Sequence, residues 1–330
     1  MNIDIVDGKD SNLLFDNSEY KCPLCSFSGK FSFSGRDLLH NKSKIYRYMQ
    51  CGRCDAVYQD PIPTVEQINS FYPEDYKPHE QLGKPRQASQ LKRAVLNHKY
   101  GYTHLLVPQI YGLIAPIFSF FKYRDAIHFV PDGKGLDIGC GNGKFMRAMI
   151  SLGWKFEGVE LNSLAVKACR SGGLRVYQGD LHAAAFENDS FDLITARHVI
   201  EHIPKPAPFM HEISRLLKKG GRLVIETPNS KALGRKWFGS NWYANDVPRH
   251  LVLYCLTNLD KLAADHGLQL VEAKMFTSPK IILNSWDYRT DNRDRPSRRR
   301  KIRRQLAKLY VALTVLYKRG DVIFAIYQKP

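Results

Sequence analysis

Between residues 131 and 330, short apolar runs alternate with stretches of helical periodicity. Runs at 135–139, 155–160, 175–179, 191–197 and 221–227 read as strands, and apolar positions spaced near 3.6 residues at 143–152, 163–171 and 206–218 read as helices. Repeated strand–helix–strand units predict an α/β fold with a parallel sheet and helices on both faces. Residues 256–267 add a helix, with Thr257 as its cap and Gly267 as its stop, and 268–276 and 320–330 read as the last two strands. Between those strands Ile302, Leu306, Leu309, Leu313 and Leu316 share one helical face.

The first part of the chain is patterned differently. Cys22-Pro-Leu-Cys25 and Cys51-Gly-Arg-Cys54 form two Cys-x-x-Cys knuckles 25 residues apart, and the segments between them alternate like short strands. Four thiolates on two tight turns suit one tetrahedral Zn2+ in a small ribbon, which is favoured over a redox pair or unliganded thiols. With four sulfur ligands such a metal has no open position and would hold the fold. Five prolines between 61 and 85 mark a connector, with one short helix at 65–71. Residues 100–121 carry no Asp, Glu, Lys or Arg. That is long enough to cross a bilayer, but Pro108, Gln109 and Pro116 favour a buried or lid-forming helical pair over a span or an interfacial anchor. The chain thus divides into a ribbon and connector (1–80), a helical linker or lid (81–130) and the α/β domain (131–330), with insertions at 229–254 and 277–319.

Composition changes the picture in two places. The net charge is +17, yet residues 289–319 alone hold twelve Lys and Arg against Asp291 and Asp294. The excess is therefore local and points to an anionic partner or membrane surface near one segment, or to a solvated face. An acidic start without a basic-then-apolar pattern, together with seven cysteines, leads to the expectation of a reducing, cytoplasmic setting, at the inner membrane surface if the basic segment meets lipid.

Candidate chemistry centres on GLDIGCGNGKF (135–145), a strand, a glycine turn and a helix start. Its G-x-G-x-G spacing differs from the dinucleotide G-x-G-x-x-G, and Asp137 beside the ligand would repel a pyrophosphate but attract an ammonium. S-adenosylmethionine carries an ammonium and a sulfonium and no phosphate. The next strand ends at Glu160, followed by Leu161, where a carboxylate can accept both ribose hydroxyls. A third ends at Asp180, which can accept from the adenine amino group while the Leu181 amide donates to the ring. Singly, each acid reads as a cap or a turn residue; three at the ends of successive strands read as a site.

LDIGCGNG, GVELN, QGDL, FDLITARHVIEHIPKP and LLKKGGRLVIETPN together resemble the ordered motifs of class I S-adenosylmethionine-dependent methyltransferases. The resemblance implies a Rossmann-like seven-stranded sheet whose final strand is antiparallel. It also implies Asp137, Gly139, Gly141 and Gly143 at the methionine end of the cofactor, Glu160 at the ribose, and Asp180 with Leu181 at the adenine. The Cys knuckles ahead of this core, with DPIP and FYPEDY, resemble a branch whose members often methylate sugars, polysaccharides or lipid-linked glycans. Related sugar C-methyltransferases place a Glu-His pair where this chain has Arg249-His250, and that departure turns the expectation toward oxygen.

Methyl transfer to a hydroxyl needs a base, and His198, just past the fourth strand, and His250, in the insertion after the fifth, are the candidates. Alternatively His198 shapes the cofactor shelf and His250 is a satisfied loop residue. Glu201 and His202 read as capping and supporting groups. Arg249 could pair with an acceptor carboxylate or phosphate, Trp242 and Tyr243 could stack on a sugar or anchor their loop, and Tyr72 and Tyr76 could reach the site from the connector. The leading expectation is a saccharide or lipid-linked glycan methyltransferase. An RNA methyltransferase using the ribbon and the Arg-rich segment is the alternative. A cofactor-binding protein without turnover is the third reading.

Overall fold

The computed structural model describes residues 21–72, 88–119, 127–290 and 297–330. In chain order the elements are β1 (Gly29–Arg36), β2 (Ile45–Cys51), β3 (Val57–Asp60), α1 (Val65–Ser70), α2 (Gln90–Tyr100), α3 (Gln109–Ser119), β4 (Lys134–Ile138), α4 (Lys144–Ile150), β5 (Lys155–Glu160), α5 (Ser163–Ser171) and β6 (Arg175–Gln178). There follow β7 (Phe191–Arg197), α6 (Pro206–Leu216), β8 (Leu217–Pro228), α7 (Leu233–Phe238), β9 (Val252–Leu253), α8 (Leu256–Ala264), β10 (Gln269–Phe276), α9 (Pro279–Thr290), α10 (Ser297–Leu316) and β11 (Val322–Gln328).

The large sheet has seven strands in the order β10-β11-β8-β7-β4-β5-β6. β4 lies at its middle, pairing in parallel with β5 on one side and β7 on the other. Its residues Gly135 to Ile138 are buried, as a strand covered on both faces requires. Only β11 is reversed, wedged antiparallel between β8 and β10. The result is a Rossmann-like mixed sheet with the expected reversed last strand. β8 begins at Leu217, four residues ahead of the expected start, because Leu217 already pairs with Phe191. The order of β4 and its neighbours changes direction between β4 and β7, so the carboxyl ends of β4, β5 and β7 open on a crevice of the kind that binds ligands in such sheets.

The cysteine region folds as an antiparallel meander of β1, β2 and β3, and β9 completes it as a fourth strand through Tyr58↔Val252 and Val57↔Leu253. Cys22, Cys51 and Tyr58 pack in the same apolar cluster as Ile194 and Ile225 of the large sheet and Leu259 of α8. A strand two residues long inside an insertion carries too little pattern to be read from sequence.

The uncharged segment corrects one expectation. α2 packs through Ala94, Val95 and Leu96, but α3 buries Ala115 and leaves Ile110, Leu113 and Ile117 between 64% and 77% exposed. It packs against α2 as one of a pair, but its other face is open and not buried. Among the described residues no helix is long and apolar enough to cross a membrane.

Candidate active site

After Ile138 the chain turns through Gly139, Gly141 and Gly143, all in the left-handed region at φ +66°, +52° and +69°. The amides of Gly139 and Cys140 both donate to the Val159 carbonyl, at 2.8 and 3.1 Å, which folds the turn back over the end of β5. A Cβ at Gly139 would stand 2.6 Å from Val199 Cγ2, and one at Gly143 2.3 Å from Leu174 Cδ1. A side chain there would therefore be strained by its backbone and blocked by its neighbours. Asp137, the fourth residue of β4, is buried and accepts a 2.6 Å hydrogen bond from Thr195 Oγ1 on β7. Burial pushes its pKa up to about 7, over the opposing pull of that bond and of Arg197. Such a carboxylate has much to gain from a cationic ligand. Glu160 accepts from the amides of Gly141 and Asn162, both at 2.8 Å, so the acid and the glycine turn are in direct contact. Gly179 donates to the Glu160 carbonyl, bringing the end of β6 alongside. There Asp180 is exposed and accepts from the Ala183 amide, and Leu181 is buried. Leu161, next to Glu160, is exposed.

Past β7, His198 is a non-glycine residue held at φ +54°, in the kind of local strain that collects at functional sites. Its side chain is half exposed, and its Nδ1 lies 3.1 Å from Glu201 Oε1. Glu201 is fully buried in a short 3-10 turn (Ile200–His202) and also accepts from Thr227 Oγ1 at 2.9 Å. Burial opposes the charge on Glu201. The bond from His198, with His250 and His202 beside it, still holds its pKa down to about 2. For His198, burial works against the imidazolium, but the Glu201 carboxylate prevails and raises its pKa. Nδ1 therefore serves as the donor to Glu201, which leaves Nε2 without a part in that bond. The next residue, Val199, packs on the glycine turn, its Cγ2 2.6 Å from the position a Gly139 side chain would take.

A methyltransferase domain model matches residues 118–273. The ubiquinone biosynthesis O-methyltransferase of Burkholderia pseudomallei strain 1710b is 30% identical over 166 residues, covering 46% of this chain and 72% of that protein. This chain belongs to the S-adenosylmethionine-dependent methyltransferases. The enzyme of the same name from Xanthomonas oryzae pv. oryzae PXO99A is 32% identical over 123 residues, 34% of this chain and 52% of its own, so the chain spans about half the length of that relative. Among solved structures, an S-adenosylmethionine-dependent methyltransferase from Archaeoglobus fulgidus aligns at 19% identity with a TM-score of 0.44, over 67% of this chain and 93% of that one.

In this methyltransferase the insertion residues sit differently from the expectation drawn from sequence. His250 is buried, its Nδ1 donating to the Ala244 carbonyl at 2.9 Å and its Nε2 3.9 Å from Glu201 Oε1. Burial, then the adjacent His202, push its pKa down to about 4 against Asp246 and Glu201. It thus backs Glu201 from inside the protein. Arg249, expected on the acceptor, is also buried. It donates to Asp37 at 2.8 Å and to Asp246 at 2.6 Å, which locks the insertion to the loop after β1. Trp242, expected to stack on a sugar, is buried with its Nε1 donating to Asp321 at 2.9 Å. Tyr243 is half-buried, with its ring 5.6 Å from that of Tyr288. Tyr72 does reach the site: its hydroxyl lies 3.0 Å from His202 Nδ1. Tyr76 lies outside the described residues. Asp37, Asp246, Thr195 and Thr227 were not singled out from sequence, and the fold reveals that each hydrogen-bonds a charged neighbour.

Two clusters among the described residues bring metal-ligating atoms within 4.8 Å of one another: Glu201, His202 and His250, and the four cysteines. In the first, Glu201 Oε1 and Oε2, His202 Nδ1 and His250 Nδ1 all have protein hydrogen-bond partners. In the second, the Cys22–Cys54 and Cys25–Cys51 sulfurs are 3.6 and 3.5 Å apart. Four thiolates about 2.3 Å from one tetrahedral zinc would be about 3.8 Å apart, so the spacing suits a single ion.

Proposed function

We propose that this methyltransferase moves the methyl group of S-adenosylmethionine onto a hydroxyl oxygen of its acceptor. The observation that carries this reading is the His198–Glu201 hydrogen bond, one residue before Val199, which packs on the glycine turn. The bound donor supplies an electrophilic methyl on a sulfonium. Asp137 and the glycine turn would hold its ammonium end, Glu160 its ribose, and Asp180 with Leu181 its adenine. His198 Nε2 takes the hydroxyl proton as the O–C bond forms and the S–C bond breaks, and Glu201 stabilises the imidazolium that results. The names of the curated relatives support oxygen as the accepting atom.

For the acceptor we infer a saccharide or lipid-linked glycan, on the resemblance carried by the Cys knuckles and the connector. The relatives favour a second reading, an acceptor in ubiquinone biosynthesis. Transfer of labelled methyl into cell extracts, separated afterwards into polysaccharide, lipid, RNA and small molecules, tests both readings, with Asp137→Ala as the control. Label in polysaccharide or in a sugar-bearing lipid supports the first, and label in a quinone lipid supports the second. Label in RNA overturns both.

Cys22, Cys25, Cys51 and Cys54 are proposed to hold a structural Zn2+. Purified protein should then contain one zinc per chain, and Cys51→Ser should remove it and lower Tm by roughly 5–15 °C. A zinc-free protein of undiminished Tm would refute this.

A further inference from the structure

The amphipathic helix α10 turns the wrong face inward. A surface helix normally buries its apolar stripe. Here the stripe, spaced alternately four and three residues apart, is left open, with Ile302 at 56%, Leu309 at 58% and Leu316 at 72% exposure. The helix is held instead through an adjacent face. Ala307 and Thr314 are buried there, the Tyr310 hydroxyl donates to the buried Asp321 carboxylate at 3.1 Å, and Arg303 pairs with Asp287 of α9 at 2.9 Å. These contacts fix its rotation, so the stripe cannot roll into the core without breaking them.

Charge identifies what covers it. Arg304 and Lys308 flank the stripe and are exposed, and the surrounding segment 289–319 carries a net +10. A second copy of the chain would set this charge against itself across a two-fold interface. RNA would use the charge but not the leucines. We propose that α10 lies in the surface of an anionic phospholipid bilayer, with the stripe among the acyl chains and the basic flank at the headgroups. The uncharged open face of α3, with Ile110, Leu113 and Ile117, is a second apolar surface of the same kind.

Co-sedimentation of the full chain with large vesicles tests this, using phosphatidylcholine alone and phosphatidylcholine with an equal amount of phosphatidylglycerol. Binding is expected to the anionic vesicles, weakened roughly tenfold between low and high salt, with little to the neutral ones. Leu306→Ser with Leu309→Ser, both exposed positions, should reduce it roughly tenfold or more while leaving the circular dichroism and thermal melt unchanged. Arg304→Glu with Lys308→Glu should reduce it as well. The proposal is overturned if the wild-type chain fails to bind anionic vesicles, or if the serine variant binds as well as wild type. Conversion of a wild-type dimer to monomer by the serine pair, seen by analytical ultracentrifugation, would overturn it too, since the stripe would then be a protein interface.

Discussion

Asp137→Asn is expected to weaken S-adenosylmethionine binding by about 100-fold, because it removes the charge that a buried ammonium must pair with while preserving shape and the hydrogen bond from Thr195. The carboxylate sits at the end of the central strand, fully enclosed, with its pKa raised to about 7 by that enclosure. Only the ionised form pairs with the ammonium, so wild-type affinity should climb as pH rises toward about 7 and level off above it. In the Asn variant this dependence should vanish. The same shift acts on stability with the opposite sense. An acid whose folded pKa lies above its unfolded value near 3.9 binds more protons in the folded state. The cofactor-free protein therefore loses this contribution as pH rises from about 4 to about 7, and the bound cation offsets the loss. Calorimetric titration at several pH values reads affinity, and thermal melts with and without cofactor read stability. An Asn variant binding within about threefold of wild type would remove Asp137 from the cofactor site.

Periodicity carried most of the fold because the large sheet is buried on both faces, and buried strands must be apolar over their whole length. β5, β7 and α5 fall where their patterns predict. Parts of the structure whose stability comes from distant partners left no such trace. β9 is two residues long and exists because β3 offers it a ladder, and α9, with its mixed pattern, is held by packing on α7 and α10. The stripe on α10 is an intermediate case: periodicity located the helix and its apolar face, but the orientation depends on Tyr310 reaching Asp321, a contact between residues whose pairing no period encodes.

The placement of the proposed cofactor residues was legible for a similar reason. Three acids at the ends of β4, β5 and β6, and three glycines in the turn after β4, are placed by topology alone, so order along the chain becomes order in space. The residues expected at the acceptor lie in the insertion. There Arg249 and Trp242 looked like ligand-binding residues because exposed arginines and tryptophans often are, yet Asp37 and Asp321 had already claimed them. Those acids are distant in sequence, and a buried guanidinium needs such partners whatever its function. His198 and Glu201 were both visible, but only the folded chain brings the imidazole and the carboxylate into one hydrogen bond.

That bond sets the second large effect. His198→Asn is expected to lower kcat by about 10²–10³-fold, the usual contribution of a positioned base, with KM for S-adenosylmethionine nearly unchanged. Asn suits the test because it tolerates the left-handed backbone that residue 198 adopts, so strain does not mimic loss of the base. Glu201→Gln separates the two partners. The neutral amide can still accept from Nδ1, but it no longer holds the imidazolium, so the His198 pKa should fall toward its ordinary value. Wild-type activity should rise with pH as His198 loses its proton, and in the Gln variant that rise should move to lower pH while the maximal rate drops. A purely structural role for Glu201 would cut the rate without moving the limb. If His198→Asn left kcat within about threefold of wild type, the proton would have to go elsewhere, and water at the half-exposed crevice would be the acceptor to examine.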